Sequence, residues 1–156
     1  MSLGHAQIAP GRRWACTFGF VLAFALGACQ PIDANCEDGD CVCEGASCVC
    51  PATGDCSIAC TDRCDLSCEG TGACLFSCPA ECNASCVGQG HCEVTVGPDS
   101  SVVCGGQGDC SVSCEGNCEV LCEGSGECTI DCQADAAGAT ECGSGRFACG
   151  TCPAPG

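Results

Sequence analysis

Polar and apolar residues alternate with a period of two in short segments along most of the chain. From Cys110 to Cys114 and from Cys118 to Cys122 the order is Cys-x-apolar-x-Cys. Because successive side chains of a strand point to opposite faces, the cysteines and the central valines share one face, and the residues between them share the other. Each segment therefore predicts a short strand with one buried face.

These two segments belong to a repeat. With the three-residue turn between them and a five-residue turn after them, they form a unit of 18 residues. Five units keep this register, and they begin at Cys56, Cys74, Cys92, Cys110 and Cys128. Constant unit length is what stacked repeats require, so we predict an all-β, disulfide-rich β-solenoid of about five coils. An antiparallel hairpin meander, with each Cys-x-x-x-Cys turn joining a hairpin, is the alternative.

Each five-residue turn carries two glycines at fixed places. They are Gly70 and Gly72, Gly88 and Gly90, Gly106 and Gly108, and Gly124 and Gly126. Glycine adopts positive φ at no steric cost, so the pattern predicts a turn that needs positive φ twice.

Cysteine dominates the composition, with 26 of 156 residues. Such a content is typical of disulfide scaffolds in oxidising compartments. Coil three has Val96 and Ser100 where coil two has Cys78 and Cys82, yet it keeps both outer cysteines. This joint loss favours first-to-fourth and second-to-third pairing within a coil. The predicted disulfides are Cys56–Cys68, Cys60–Cys64, Cys74–Cys86, Cys78–Cys82, Cys92–Cys104, Cys110–Cys122 and Cys114–Cys118.

The central residues of facing segments fit one thin core. Ile58 is expected to face Leu66, and the large Phe76 is expected to face the small Ala84. Volume compensation of this kind is expected where residues share a packed layer.

The predicted pairing leaves an odd number of cysteines at each end of the rod. Five remain in the N-terminal cap and five at the C-terminal end. Three explanations remain open: some disulfides cross between coils, two thiols are free, or Cys29 is not lipidated.

The N-terminus predicts export. Arg12 and Arg13 precede an uncharged apolar run from Trp14 to Ala28, which is too short to span a bilayer and suits a signal peptide. The run ends in Leu26-Gly27-Ala28-Cys29, which resembles the lipobox of bacterial lipoproteins. The resemblance implies that Cys29 is the first mature residue and carries acyl chains that anchor it to a membrane. Ordinary cleavage after Ala28, with Cys29 joining a disulfide, is the alternative.

The resemblance also sets the expected location. We expect a lipid-anchored protein of the bacterial cell envelope. Gln30 stands where an inner-membrane retention signal has Asp, which favours the outer membrane. Removal of residues 1–28 leaves two arginines against 20 acidic residues, a net charge of −18. Such a surface repels nucleic acid and can hold divalent cations loosely.

Little in the sequence points to catalysis. The mature chain has one histidine, His91, which is expected to be a solvated turn residue, and no Ser-His-Asp or Cys-His set can be built without it. We therefore expect no enzymatic activity and no cofactor, and a structural or protein-interaction role with an unknown protein partner. The alternative is soft-metal binding by four cap cysteines, Cys41, Cys43, Cys48 and Cys50, whose Cys-x-Cys pairs resemble those of metallothioneins.

The predicted organisation has five parts. Residues 1–28 are the lipoprotein signal peptide, 29–37 a tether, 38–55 a cysteine-rich N-terminal cap, 56–132 the 18-residue repeats, and 133–156 a C-terminal cap and tail.

Overall fold

The computed structural model describes residues 34–35, 40–45 and 47–153. The predicted signal peptide, Cys29 and most of the predicted tether lie outside this part of the chain. Within it the chain consists of strands, turns and bends, and no helix there is long and apolar enough to cross a membrane.

The described residues form short strands, and within the repeats these lie at the positions that the alternating pattern predicts. They are β1 (Ala34–Asn35), β2 (Asp40–Cys43), β3 (Ser47–Val49), β4 (Cys56–Cys60), β5 (Asp65–Cys68), β6 (Cys74–Cys78), β7 (Asn83–Cys86), β8 (Cys92–Val96), β9 (Ser100–Cys104), β10 (Cys110–Cys114), β11 (Cys118–Cys122), β12 (Cys128–Cys132), β13 (Thr140–Gly143) and β14 (Arg146–Cys149).

The strands make two sheets. The first sheet has the order β1-β3-β5-β7-β9-β11-β14-β13, and the second has the order β12-β10-β8-β6-β4-β2. Consecutive strands of the repeats therefore lie in different sheets, and each pairs in parallel with the strand one coil away. This arrangement confirms the β-solenoid. The hairpin meander is wrong, because it would place consecutive strands side by side and antiparallel.

The register of the sheets follows the repeat. Cys74 lies opposite Cys56 on one side and Cys92 on the other, so equivalent positions stack from coil to coil. The predicted N-terminal cap joins the same stack through β2 and β3. In the strand register Cys43 lies opposite Cys60, and the two are separated by one residue less than a full unit. The cap is therefore a slightly shortened coil.

The core is a thin layer between the sheets. Ile58, Phe76 and Val94 are buried in the second sheet, and Leu66 and Ala84 are buried in the first. Phe76 is completely buried in the same coil as Ala84, which agrees with the predicted volume compensation. Beyond these central residues the core is largely cysteine, because the chain has few large apolar side chains to bury.

The glycines of the long turns are required for a reason other than the predicted one. None of the paired glycines from Gly70 to Gly126 has a positive φ. A Cβ atom on Gly90 would instead lie 1.9 Å from the carbonyl oxygen of Gly72, in the turn of the preceding coil. Successive turns thus stack so closely that only hydrogen fits between their backbones.

Coil three closes without its short-turn disulfide. Val96 and Ser100 are both buried where the neighbouring coils have cysteines. The Ser100 hydroxyl accepts a hydrogen bond from the backbone N–H of Cys82 at 3.1 Å and donates to the carbonyl of Pro98 at 3.5 Å. These hydrogen bonds satisfy Ser100, the one polar residue that is buried in the described part of the chain.

Candidate functional site

The disulfides form two columns, one under each kind of turn. The short-turn column contains Cys43–Cys48, Cys60–Cys64, Cys78–Cys82 and Cys114–Cys118, and Cys132–Cys149 extends it. The long-turn column contains Cys50–Cys56, Cys68–Cys74, Cys86–Cys92, Cys104–Cys110 and Cys122–Cys128. Together they staple both edges of the solenoid.

Three predicted pairs are present in the short-turn column: Cys60–Cys64, Cys78–Cys82 and Cys114–Cys118. The predicted outer pairs Cys56–Cys68, Cys74–Cys86, Cys92–Cys104 and Cys110–Cys122 are wrong. Each outer cysteine bonds across a long turn to the neighbouring coil instead. The Cα atoms of Cys68 and Cys74 are 6.3 Å apart, within the usual range for a disulfide of about 4.4 to 6.8 Å.

This shift of the outer pairs removes the odd count at the C-terminal end. Cys122 bonds to Cys128, and the other two disulfides there are Cys132–Cys149 and Cys142–Cys152. Of the three explanations for the odd count, disulfides that cross between coils are therefore present. Every cysteine in the described part of the chain is disulfide-bonded.

The four cap cysteines of the alternative metal site are among the disulfide-bonded residues. Cys43 bonds to Cys48, Cys50 bonds to Cys56, and Cys41 is disulfide-bonded as well. A soft metal binds thiolates rather than disulfide sulfurs. Metal binding by the cap therefore requires reduction of these disulfides first.

The outward face of the second sheet has a shallow depression of about 310 Å³. Its lining is Asp40, Asp55, Cys56, Ser57, Ala73, Cys74, Leu75, His91 and Glu93. Leu75 is 46% exposed and stands in register between Ser57 and Glu93. The depression therefore combines an exposed leucine with the carboxylates of Asp40, Asp55 and Glu93.

The outward face of the first sheet differs in chemistry. It presents Ser67 and Ser85 in register with the half-buried Val103, and Ser101 in register with Asn83. Asn83 and Asp65 lie on neighbouring strands, and the Asn83 amide donates a hydrogen bond to the Asp65 carboxylate at 2.9 Å. This face has a depression of similar size, about 320 Å³, but the exposed leucine lies on the second sheet.

His91 is exposed, as the sequence predicts for a turn residue. Its backbone carbonyl accepts a hydrogen bond from the N–H of Cys74 at 2.8 Å. The neighbouring Cys92 is bonded to Cys86, so its sulfur is no free nucleophile beside the imidazole. His91 lines the depression, but Cys92 offers it no free thiol as a catalytic partner.

Protein-family models, curated proteins and solved structures give no significant match to this chain. The fold assignment therefore rests on the strand register, the disulfide columns and the burial pattern described above.

Proposed function

We propose that the protein is a non-enzymatic, membrane-anchored β-solenoid lipoprotein that acts as a rigid structural or protein-interaction module in a bacterial cell envelope. The observation that carries the proposal is the pair of disulfide columns along the repeat. Stapled repeats present extended, regular surfaces without needing a large apolar core. Such a scaffold suits an oxidising compartment.

The proposed anchor is Cys29. The apolar run before it and the lipobox-like Leu26-Gly27-Ala28-Cys29 support lipidation there, and residues 29–37 would separate the solenoid from the bilayer. Two or more acyl chains give stable membrane attachment, whereas one gives only marginal binding. Gln30 supports placement in the outer membrane.

The proposed contact surface is the depression around Leu75. The mature chain's charge of −18, from two arginines and 20 acidic residues, disfavours nucleic acid and favours a basic partner or loosely held divalent cations. Leu75 supplies the apolar anchor, and Glu93, next to it in register, supplies charge. We propose a protein partner whose basic residues surround an apolar side chain.

Fractionation of cell envelopes tests the anchor. Wild-type protein should sediment with outer membranes, and the Cys29→Ser variant should be released or remain as unprocessed precursor. A Cys16→Ser variant, altered in the predicted signal peptide away from the lipobox, is the control and should sediment as wild type. If Cys29→Ser protein is processed and stays with the membranes as wild type does, the lipid anchor is wrong.

Site-specific photocrosslinking in cells tests the contact surface. A photoreactive residue at Leu75 should give a discrete adduct, and one at Asn83, on the opposite sheet, should not. Adducts of equal yield from both positions, or from neither, would contradict a contact surface on the second sheet.

The alternative function is metal binding by Cys41, Cys43, Cys48 and Cys50. It is supported by their Cys-x-Cys spacing, but it needs four thiolates where the structure has disulfides. Zinc or copper that co-purifies with a thiol-rich protein from envelopes would favour this alternative over the oxidised scaffold.

A further inference from the structure

The two sheets end differently at the C-terminal end of the solenoid. In the first sheet β14 pairs antiparallel with β11, and β13 pairs with β14, so a hairpin follows the last strand of the repeat. In the second sheet β12 is the last strand, and no strand of the described chain pairs with its outer edge. The first sheet therefore extends one strand farther than the second sheet at this end.

The outer edge of β12 carries a row of backbone groups that the sheet does not use. The N–H of Gln133 donates a hydrogen bond to the carbonyl of Cys114, in β10, at 2.9 Å. Because backbone groups alternate between the two edges of a strand, every second residue of β12 points its N–H and carbonyl away from β10. These residues are Cys128, Ile130 and Cys132. Of their groups, the Cys132 carbonyl accepts a hydrogen bond from the N–H of Asp135 at 3.3 Å, and the described chain supplies no strand for the others.

The core beside this edge is incompletely covered. Ile130 is half-buried, whereas the equivalent central residues of the four preceding coils in the second sheet are at most 2% exposed. On the facing sheet Phe147 is also half-buried, although Val120, directly opposite it in register, is completely buried. Ile130 and Phe147 thus border the place where one more strand of the second sheet would complete the core.

The surroundings of this place are acidic. The carboxylates lie before β12, on it, after it and on β13, and they belong to Glu127, Asp131, Asp135 and Glu141. The arginine at this end, Arg146, already contacts Glu119, with 3.5 Å between its Nε atom and a carboxylate oxygen. A basic segment is therefore favoured here, and a second copy of the chain, which would bring the same carboxylates, is disfavoured.

We propose that the outer edge of β12 binds an extended, basic segment of a partner protein as an additional strand of the second sheet. The backbone of the segment would pair with the unused groups of β12, as in other cases of strand addition. Its apolar residues would cover Ile130 and Phe147, and the basic residues between them would lie near Asp131. This inference goes beyond the contact proposed at Leu75 and does not depend on it.

The test uses a synthetic segment with this alternation and the oxidised full chain. The probe is a fluorescein-labelled peptide, Lys-Val-Lys-Val-Lys-Val-Lys, and binding is measured by fluorescence anisotropy. Wild type should bind it, and hydrogen–deuterium exchange of β12 should slow in the complex. A peptide with proline in place of the central valine lacks one backbone N–H and should bind at least about fivefold more weakly.

Three variants locate the binding. Ile130→Pro removes an N–H that points away from β10, so the sheet keeps its own hydrogen bonds, and the affinity for the lysine peptide should fall at least about fivefold. Asp131→Lys should lower this affinity and raise that for Glu-Val-Glu-Val-Glu-Val-Glu, each by a similar factor. Leu75→Ala is the matched control and should bind as wild type does. Circular dichroism checks the folding of each variant.

Several results would overturn the proposal. One is the absence of binding by wild type, and another is equal affinity of wild type, Ile130→Pro and Asp131→Lys for the lysine peptide. Loss of binding in Leu75→Ala alone would place the peptide in the depression instead. A dimer in analytical ultracentrifugation that Ile130→Pro abolishes would assign the edge to a second copy of the chain.

Discussion

Cys86 is bonded to Cys92, the first residue of the next coil, and not to Cys74, with which it shares a coil. The same connection recurs at every long turn from Cys50 to Cys128. Short-turn disulfides close individual coils, whereas long-turn disulfides join consecutive coils. The solenoid is therefore held along its axis by covalent bonds as well as by strand pairing.

Paired serine substitutions test this connectivity. Cys86→Ser/Cys92→Ser removes both partners of one disulfide and should expose no new thiol. Cys74→Ser/Cys86→Ser removes one partner from each of two disulfides and should leave Cys68 and Cys92 as free thiols. Alkylation without reductant, followed by intact mass measurement, counts them.

The within-coil pairing makes the opposite prediction, because Cys74 and Cys86 would then be partners and their joint removal would expose no thiol. Free thiols in the Cys86→Ser/Cys92→Ser variant would thus contradict the observed connectivity. Because the Cys86–Cys92 disulfide closes a short loop, its loss should lower the free energy of unfolding by about 2 kcal/mol.

The second prediction concerns the stacked long turns. Gly90→Ala should lower the free energy of unfolding by about 3 kcal/mol, because the new Cβ would meet the backbone oxygen of Gly72 rather than a movable side chain. Gln89→Ala is the matched control in the same turn, and its exposed side chain predicts little change. Urea unfolding under non-reducing conditions measures both. Similar stabilities for the two variants would refute close turn stacking.

The third prediction restores the missing disulfide of coil three. Val96 lies in register with Cys78 and Cys114, and Ser100 lies in register with Cys118. Val96→Cys/Ser100→Cys should therefore oxidise to a disulfide and raise the free energy of unfolding by about 2 kcal/mol. The loss of the buried Ser100 hydrogen bonds would offset part of this gain.

Alkylation and thermal unfolding measure the outcome. Val96→Cys alone is the control and should show one reactive thiol after unfolding. If the double variant keeps both thiols under oxidising conditions, positions 96 and 100 do not have the geometry of the neighbouring coils.

The fourth prediction concerns the shared core layer. Phe76→Ala should lower the free energy of unfolding by about 3 to 5 kcal/mol, because it leaves a cavity in the place of the completely buried ring. Ala84→Phe alone should also destabilise, by overpacking. If the two positions share one layer, Phe76→Ala/Ala84→Phe should recover at least about 2 kcal/mol of the summed losses. Strict additivity in urea unfolding would show that they do not.

Much of the fold could be predicted from the sequence because its information is local and repeated. Cys110, Val112 and Cys114 alternate with polar residues, and this alternation alone places β10 and its buried face. The constant spacing to Cys92 and Cys128 then predicts the parallel register. The joint loss of cysteines at Val96 and Ser100 was sufficient to predict the short-turn pairs.

The long-turn pairs could not be read from the spacing. Cys74 begins a strand at the long-turn edge, where both its coil partner Cys86 and the preceding Cys68 also lie. Stacked strands are only about 4.8 Å apart, so both partners are near in a flat coil, and periodicity does not choose between them. The odd count at each end was the available signal, since only pairing between coils removes it at the C-terminal end.

The glycine pattern was similarly ambiguous. Glycines equivalent to Gly88 and Gly90 recur in the long turns of the repeat. The same pattern would arise if the backbone needed positive φ there or if it had to approach a neighbouring turn closely. Only the position of the preceding turn, with Gly72 against Gly90, distinguishes these causes. The Leu75 depression also needs the assembled sheet, because Asp40 comes from the N-terminal cap, Leu75 from coil two and Glu93 from coil three.

A count of free thiols in protein purified from cell envelopes tests the central claim most directly. The protein is alkylated without reductant, and its intact mass is measured. An oxidised, doubly stapled solenoid predicts at most about two alkylated cysteines, together with the added mass of a lipid on Cys29 if the proposed anchor is correct. About ten or more alkylated cysteines would contradict the disulfide columns and would favour a thiolate, metal-binding protein.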